Sequence, residues 1–425
     1  MKTFSKPFTQ QEALPAAAVS RAVEVLETGR LHRYNTLPGE HGETALWERE
    51  YAAWQGSRFA LATASGGAAL QIALRAAGVE PGAAVLTNAF TLAPVPGAIA
   101  AVGAVPHFVE TREDLTIDLA DLDRAFDRTG AGVLLLSHMR GHLAPMEPLC
   151  AIVERHGGTL IEDCAHTMGA RWNGVRSGNF GRLACFSTQT YKHLNSGEGG
   201  LLTSSDAELM ARATILSGSY MLHDRHLAGP DEAAFERARW EMPNCSARMD
   251  NLRAAILRPQ LPGLERNVER WNRRYRAVER GLDDVDGLVV PPRPPEERFV
   301  GSSIQFLVPP WPEAACRDFV RLCAERGVEL KWFGAREPVG FTSRYDSWTY
   351  APARTLPRTL SVLARLMDMR IPLSFTVADC ETIAAIIADT FIQVQGRARE
   401  RDQGRAPERD RLRDRSGPAR PPAPE

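Results

Sequence analysis

Only four lysines occur in the 425 residues, Lys2, Lys6, Lys192 and Lys331, and arginine supplies nearly all the other positive charge. An amine able to shed its proton is therefore scarce, and a guanidinium cannot replace it because it stays protonated. Lys192 lies in a polar loop that runs into Gly197, Gly199 and Gly200, and an upstream strand pattern ends in Glu162-Asp163. A lysine in a Gly-rich loop beside a strand-end aspartate is what imine chemistry on an aldehyde cofactor requires. Against this stand the commoner fates, a solvated surface ammonium for Lys192 and a cap or turn carboxylate for Asp163.

Three further positions bear on the choice. Ser65-Gly66-Gly67-Ala68 places small residues where a strand hands over to a helix, and the exposed amides and positive end of that helix favour a phosphate. The motif fits neither of the common nucleotide-binding Gly patterns, and a tight turn that needs glycine is the alternative. Phe90 follows the second strand, where an aromatic can lie on a ligand ring or pack in the core. Ser187 ends the strand Ala184–Ser187 and offers a hydroxyl for a phosphate oxygen.

These residues need a scaffold that brings strand ends together. Strand-like segments near 59–64, 84–87, 106–109, 133–136 and 159–162 alternate with helix-like segments near 68–77, 94–102, 119–126 and 146–156. Such alternation means right-handed crossovers and a mainly parallel sheet, which binds its ligand at the carboxyl ends of its strands. An N-terminal helix is expected within 8–30, with Ala16, Val19, Ala22, Val23 and Leu26 on one face. An irregular stretch rich in His and Arg follows the helix 206–217, then a helical pair, 248–257 and 261–282. Beyond Pro291–Pro295, strands at 302–308 and 328–332 and helices at 314–327 and 380–391 form a smaller α/β unit. The expected division is a large domain over 1–260, a small C-terminal domain over 261–396, and a charged tail, 397–425, whose lack of apolar residues predicts disorder.

Composition narrows the partners. Lys+Arg 51 against Asp+Glu 52 gives a formal net charge of -1, which removes the electrostatic reason to expect nucleic acid. Seven cysteines without a CxxC read as buried thiols in a reducing compartment. No signal-like apolar run opens the sequence, and the most apolar run, 92–105, is broken by prolines and glycines. A soluble, cytoplasmic protein is expected, without a metal site.

Five features then fall on one side of one sheet: a phosphate cradle, an aromatic, an acid, a hydroxyl and an imine-capable lysine. Together they specify pyridoxal 5'-phosphate. Glu162-Asp163-Cys164-Ala165-His166, Cys185-Phe186-Ser187, Lys192, Gly197–Gly200, and Asn244 with Arg248-Met249 resemble, in order and spacing, the DegT/DnrJ/StrS-type aminotransferases of fold type I. That resemblance implies an α/β fold, a large domain with a mainly parallel central sheet flanked by helices plus a smaller C-terminal α/β domain.

It also implies roles. Lys192 would form the imine with the cofactor and shuttle the proton, and Asp163 would pair with the pyridinium. Phe90 would stack on the ring, and His166 would lie near the ring oxygen in place of a frequent Gln. The amides of Gly67 and Ala68 and the Ser187 hydroxyl would hold the phosphate, Gly67 standing where Thr is usual. Asn244 would reach the phosphate of a partner chain in a homodimer, its alternative being a helix cap before Arg248. The implied reaction moves an amino group from glutamate or glutamine to a keto-sugar, often nucleotide-linked, or a keto-cyclitol. A dehydratase or lyase of the same fold and a non-catalytic scaffold are the rivals. Loop residues Arg33, Tyr34, His223, Arg225, His226, Arg239, Trp240, Trp332, Arg344 and Trp348 are candidates to line the entrance.

Overall fold

The computed structural model describes residues 2–413, with side chains described to residue 398. Two helices, α1 (Ala16–Thr28) and α2 (Glu43–Gln55), precede the sheet. Strands β1 (Phe59–Thr63), β2 (Ala84–Asn88), β3 (Val105–Val109), β4 (Val133–Ser137) and β5 (Thr159–Asp163) alternate with α3 (Gly66–Ala76), α4 (Pro94–Ala101), α5 (Leu119–Thr129) and α6 (Met146–Arg155). A two-residue hairpin, β6 (Arg171–Trp172) and β7 (Val175–Arg176), comes before β8 (Leu183–Ser187) and β9 (Gly200–Ser204).

The seven longer strands form one sheet in the order β1-β9-β8-β5-β4-β2-β3. Pairing is parallel from β8 through β3, whereas β9 runs antiparallel to both β8 and β1. β1, β4, β8 and β9 are buried along their whole length. Near-continuous apolar strands of this kind are what a sheet covered on both faces demands.

The rest of the chain adds α7 (Ala207–Ser217), α8 (Glu232–Glu241), α9 (Asn251–Leu257) and the long α10 (Leu264–Asp283). β10 (Glu297–Arg298) completes the β6–β7 hairpin into a small sheet. A second three-stranded sheet, ordered β11-β13-β12, contains β11 (Ser303–Leu307), β12 (Lys331–Trp332) and β13 (Leu366–Arg370). It is accompanied by α11 (Glu313–Glu325), α12 (Pro357–Arg365) and α13 (Val377–Arg413). Phe4 and Phe8 lie on this C-terminal core, each edge-on to Phe375 with ring centroids 5.0 and 4.9 Å apart. The N-terminal segment thus packs away from the sheet that the expected division assigned it to.

Several expectations change. The stripe on α1 does not face the core: Val19, Val23 and Leu26 are exposed, and Ala18 and Val25 are buried instead. Periodicity identifies an apolar face but not what covers it. The stretch after α7 contains α8, anchored by Phe235 and Ala238. Only 331–332 of the strand expected at 328–332 pairs, and β13 with α12 lay unread between 357 and 370. α13 continues through Arg413 into the tail expected to be disordered. Its Arg, Glu, Gln and Ala residues are good helix formers that carry it beyond Val394, the last buried residue among those whose side chains are described. Residues 414–425 of that tail lie outside the described residues. Among the described residues, no helix is long and apolar enough to cross a membrane.

Arg33, Tyr34 and His226, expected at an entrance, are buried in a polar knot beneath the sheet edge. Arg33 donates to both Glu48 oxygens at 2.9 Å and to His226 Nδ1 at 3.0 Å, and His226 Nε2 lies 2.7 Å from the Tyr34 hydroxyl. Glu48 also accepts the Ala62 amide of β1 at 2.8 Å. The Arg33 charge and the hydrogen bonds from this knot hold the Glu48 carboxyl down at about 2 despite its burial. Deleting one partner strands the other charge, so Arg33→Ala is expected to cost about 3–5 kcal/mol in urea unfolding, with double deletion of Arg33 and Glu48 costing less than the sum.

Candidate active site

Parallel pairing places three strand ends side by side. Ser137 on β4 is in register with Asp163 on β5, Asp163 with Cys185 on β8, and Ser187 on β8 with Gly200 on β9. Above them opens a cavity of about 620 Å³. Its walls include Gly67, Asp163, His166, Ser187 and Lys192 from the sequence-based set, with Ser137, Arg140 and Tyr191 beside them.

Asp163 is buried and held from two sides. The Ser137 hydroxyl donates to Oδ2 at 3.0 Å and the Ala165 amide donates to Oδ1 at 3.1 Å. Burial raises its carboxyl above the usual range, opposed by those donors and by the nearby Lys192. A cation placed against it would therefore be strongly favoured. Behind it, Glu162 points to the opposite face of β5. It accepts the amides of Gly178, Phe180 and Gly181 at 2.7–2.9 Å, and His138 Nε2 lies 2.9 Å away. His138, Glu162 and Cys164 are close enough together to suggest a metal set, but those four contacts already occupy the carboxylate.

Lys192 sits in the loop between β8 and β9, its amine 2.7 Å from His166 Nε2. His166 Nδ1 accepts the Arg140 amide at 3.3 Å, so the ring proton resides on Nε2 and points at the lysine nitrogen. That arrangement needs a lone pair on Nζ, which only the neutral amine has. Burial lowers Lys192 to about 7, the Arg140 charge adding to the effect and Asp163 opposing it. Burial and the neighbouring Lys192 and Arg140 likewise push His166 well below the usual imidazole range. The loop reaches this place because two glycines let it. A Cβ on Gly200 would lie 2.4 Å from the Ser65 carbonyl, and Gly199 adopts φ +157° with Thr188 Oγ1 only 2.3 Å from where a Cβ would be.

At the other end of the cavity, Ser65 caps α3, its Oγ accepting the Ala68 amide at 3.0 Å. That commits Ala68, and Ala68 does not line the cavity. The first-turn amides with no helical acceptor are those of Gly66 and Gly67, and the Ser187 side chain stands against Gly66. Gly67 has room for a side chain, the nearest atom to an added Cβ being Ser65 Oγ at 3.8 Å.

Other expected residues sit elsewhere. Phe90 is buried edge-on to Phe333, centroids 5.2 Å apart, within an aromatic cluster that also holds Phe108 and Tyr345. Leu92 and Ala93 reach the cavity from that loop instead. Asn244 is exposed, outside the cavity of its own chain, and accepts the Ser246 amide at 2.9 Å. It does not cap α9, a role taken by Asp250. Of the ten entrance candidates, Trp348 alone lines the cavity. Sequence reading passed over Ser137, although it ends a strand, and Arg140, Tyr191 and Arg370, whose roles depend on tertiary docking.

Comparison with known proteins matches this architecture. The profile of the DegT/DnrJ/EryC1/StrS aminotransferase family covers residues 18–388. A pleiotropic regulatory protein of Geobacillus stearothermophilus is 32% identical over 59% of this chain and 65% of its own length. An L-glutamine:2-deoxy-scyllo-inosose aminotransferase of Micromonospora echinospora is 33% identical over 61% of each chain. In both, the match spans less than two thirds of the relative. The crystal structure of 3-amino-5-hydroxybenzoic acid synthase superposes over 90% of this chain and 99% of its own, with TM-score 0.76 and 26% identity. With its strand ends, Gly-rich loop and sheets arranged in this way, the chain belongs to the DegT/DnrJ/EryC1/StrS aminotransferase family, whose members are pyridoxal phosphate-dependent enzymes.

Proposed function

We propose that this chain transfers an amino group from glutamate or glutamine to the keto group of a sugar or cyclitol ring, using pyridoxal phosphate. The observation that carries the reading is Lys192, a buried amine 2.7 Å from His166 Nε2, in one cavity with the Asp163 carboxylate and the α3 amides. The residues present fit the cofactor. Gly66 and Gly67 offer amides and Ser187 a hydroxyl for its phosphate, and Asp163 offers a carboxylate for its ring nitrogen.

When bound, pyridoxal phosphate supplies an aldehyde and an electron sink that makes the hydrogen on an amino-bearing carbon acidic. Asp163, oriented by Ser137 and Ala165, keeps the ring nitrogen protonated. Lys192 is first the nucleophile and then the base that moves a proton from the donor's Cα. The His166 ring, with Nε2 2.7 Å from Nζ, holds the lysine amine at the cavity wall.

A homodimer, each chain built from a large domain around the central sheet and a small C-terminal domain over 261–396 that also takes in Phe4 and Phe8, accounts for two surface features. Val19, Val23 and Leu26 on α1, with Tyr220 and Met221, leave apolar side chains exposed on the single chain. Asn244 is exposed outside its own cavity, a position from which it could serve a partner's site. The relative named for 2-deoxy-scyllo-inosose supports a cyclic keto acceptor and glutamine as donor.

Borohydride reduction of the cofactor-loaded protein should add the cofactor's mass to the peptide bearing Lys192. The Lys192→Ala variant should show no such adduct and no turnover. Amine transfer undiminished in that variant would sink the reading. Asp163→Asn should lower turnover by roughly 10²-fold or more, because a neutral amide cannot stabilise the ring charge. With glutamate or glutamine alone, the protein should release one equivalent of oxo acid and stop, which a lyase or dehydratase would not do.

Because Lys192 is lowered to about 7, its neutral fraction grows as pH rises through that value. Stopped-flow capture of pyridoxal phosphate by the cofactor-free protein should therefore accelerate up to about pH 7 and then level off. A rate still climbing near pH 10 would show an ordinary lysine.

A further inference from the structure

The lining of the cavity holds two unlike groups. One is cationic: Arg140, Lys331 and Arg370, the last with its guanidinium carbon 3.7 Å from the ring centroid of Tyr191 in the Lys192 loop. Cations there suit the carboxylate of an amino donor. The other group is apolar. Leu92, Pro94 and Val95 belong to the start of α4, and Pro338, Phe341 and Trp348 to the loop between β12 and α12.

The apolar group has a rigid backing. Leu92 and Trp348 both rest on the buried aromatic cluster of Phe90, Phe108, Phe333 and Tyr345, which ties the α4 side to the loop side. The loop meets α4 again through Tyr350, stacked on Trp348 with centroids 6.3 Å apart, whose hydroxyl lies 4.0 Å from where a Cβ on Gly97 would be. A tight turn delivers Phe341. Val339 and Thr342 exchange backbone hydrogen bonds at 2.9 and 3.0 Å, and Gly340 between them takes φ +56°, the positive value that the first central position of such a turn requires. At the tip Phe341 is 68% exposed and Val339 66%. An aromatic that lines a cavity yet stays in water is placed to be covered by what fills that cavity.

The loop also sorts its charges. It carries Arg336, Glu337, Arg344 and Asp346, and none of the four lines the cavity. Arg344 is turned onto Asp346, Nε to Oδ1 at 2.8 Å, and donates to the Gly334 carbonyl at 3.1 Å. On the other side, α4 has no charged residue. A sugar hydroxyl facing Pro94, Val95, Pro338 or Phe341 would find no side-chain partner and would lose the hydrogen bonds it makes in water. A nucleotide diphosphate would find no cation from the loop.

We propose that this apolar group seats an alkyl or aryl substituent of the amino acceptor, so that the chain aminates a ring ketone with a hydrophobic appendage rather than a bare polyol or a nucleotide-linked sugar. This rests on the aminotransferase reading above. Cofactor and donor leave the seat free. The phosphate and ring nitrogen of the cofactor are provided for at α3 and Asp163, and one apolar side chain such as Leu92 suffices for its ring face. Glutamate and glutamine carry polar groups at both ends of a short methylene chain. The acceptor enters the same cavity in the second half-reaction, and it alone presents apolar surface to the whole group. Removing that surface from water stabilises the complex in proportion to its area.

The test uses cofactor-loaded protein with glutamate or glutamine as donor and three ketones, 4-phenylcyclohexanone, cyclohexanone and 2-deoxy-scyllo-inosose. The wild type should favour the phenyl ketone over each of the others by roughly 10-fold or more in kcat/KM, as burial of an aryl group implies. Phe341→Ser changes an exposed position and leaves the core intact. It should lower that preference by roughly 5-fold, since part of the apolar surface is lost, and Phe341→Leu should restore some of it. A wild type that releases oxo acid from the donor yet uses the phenyl ketone no better than cyclohexanone, or prefers 2-deoxy-scyllo-inosose, would overturn the seat and leave the aminotransferase reading intact. So would a preference unchanged in Phe341→Ser. A loss of equal size in oxo-acid release by that variant would assign the loop to the donor and overturn the acceptor assignment. Dissociation of the variant into a smaller species on size-exclusion chromatography would make Phe341 a subunit contact and overturn its place in the seat. Competition by dTDP against the phenyl ketone would put a nucleotide there and overturn the apolar assignment. Failure of the wild type to release oxo acid from either donor would overturn both readings.

Discussion

The cleft is held in shape by a carboxylate that never meets substrate. Glu162, fully buried, gathers three backbone amides from the turn at 178–181 and faces His138. An ionised group there would be ruinous without those donors, and with them it locks the end of β5 to the turn that leads into β8. Neighbouring side chains on a strand point to opposite faces. Fixing Glu162 on one face therefore fixes Asp163 on the other, within reach of Ser137 and the cavity.

Around that anchor, the electrostatics make an amine easy to deprotonate. Lys192 would be an ordinary ammonium in water. Burial and a nearby guanidinium withdraw its proton, while Asp163 pulls the other way. His166 reports the outcome structurally, since its tautomer is dictated by the Arg140 amide and its remaining N–H needs an acceptor. Arg140 therefore acts twice, through its backbone on the histidine and through its side chain on the lysine.

Much of this was legible from the chain. The α/β alternation with crossover-length helices specified the central sheet, because buried parallel strands leave long apolar runs. Asp163, Ser187 and Lys192 were visible because strand ends and Gly-rich loops are where such a sheet exposes chemistry. Phe90 was not, since an aromatic after a strand suits a core as well as a ligand, and two residues decide which of Phe90 or Leu92 turns inward. Arg33, Tyr34 and His226 looked like loop residues free to bind, yet Glu48 on α2 required their charge and hydrogen bonds. Lys331 and Arg370 lie far along the chain from the loop they face, and only docking of the second sheet brings them there.

Phe4 and Phe8 close the C-terminal core against Phe375, and the Phe4 amide donates to the Arg326 carbonyl at 2.8 Å. Partners more than 300 positions apart in the chain have a consequence for synthesis. Phe4 and Phe8 must wait, their rings unsheltered, until the chain as far as Phe375 has emerged from the ribosome. The smaller core is thus the last to be sealed, and the central sheet, whose strands all lie within residues 59–204, can assemble well before it.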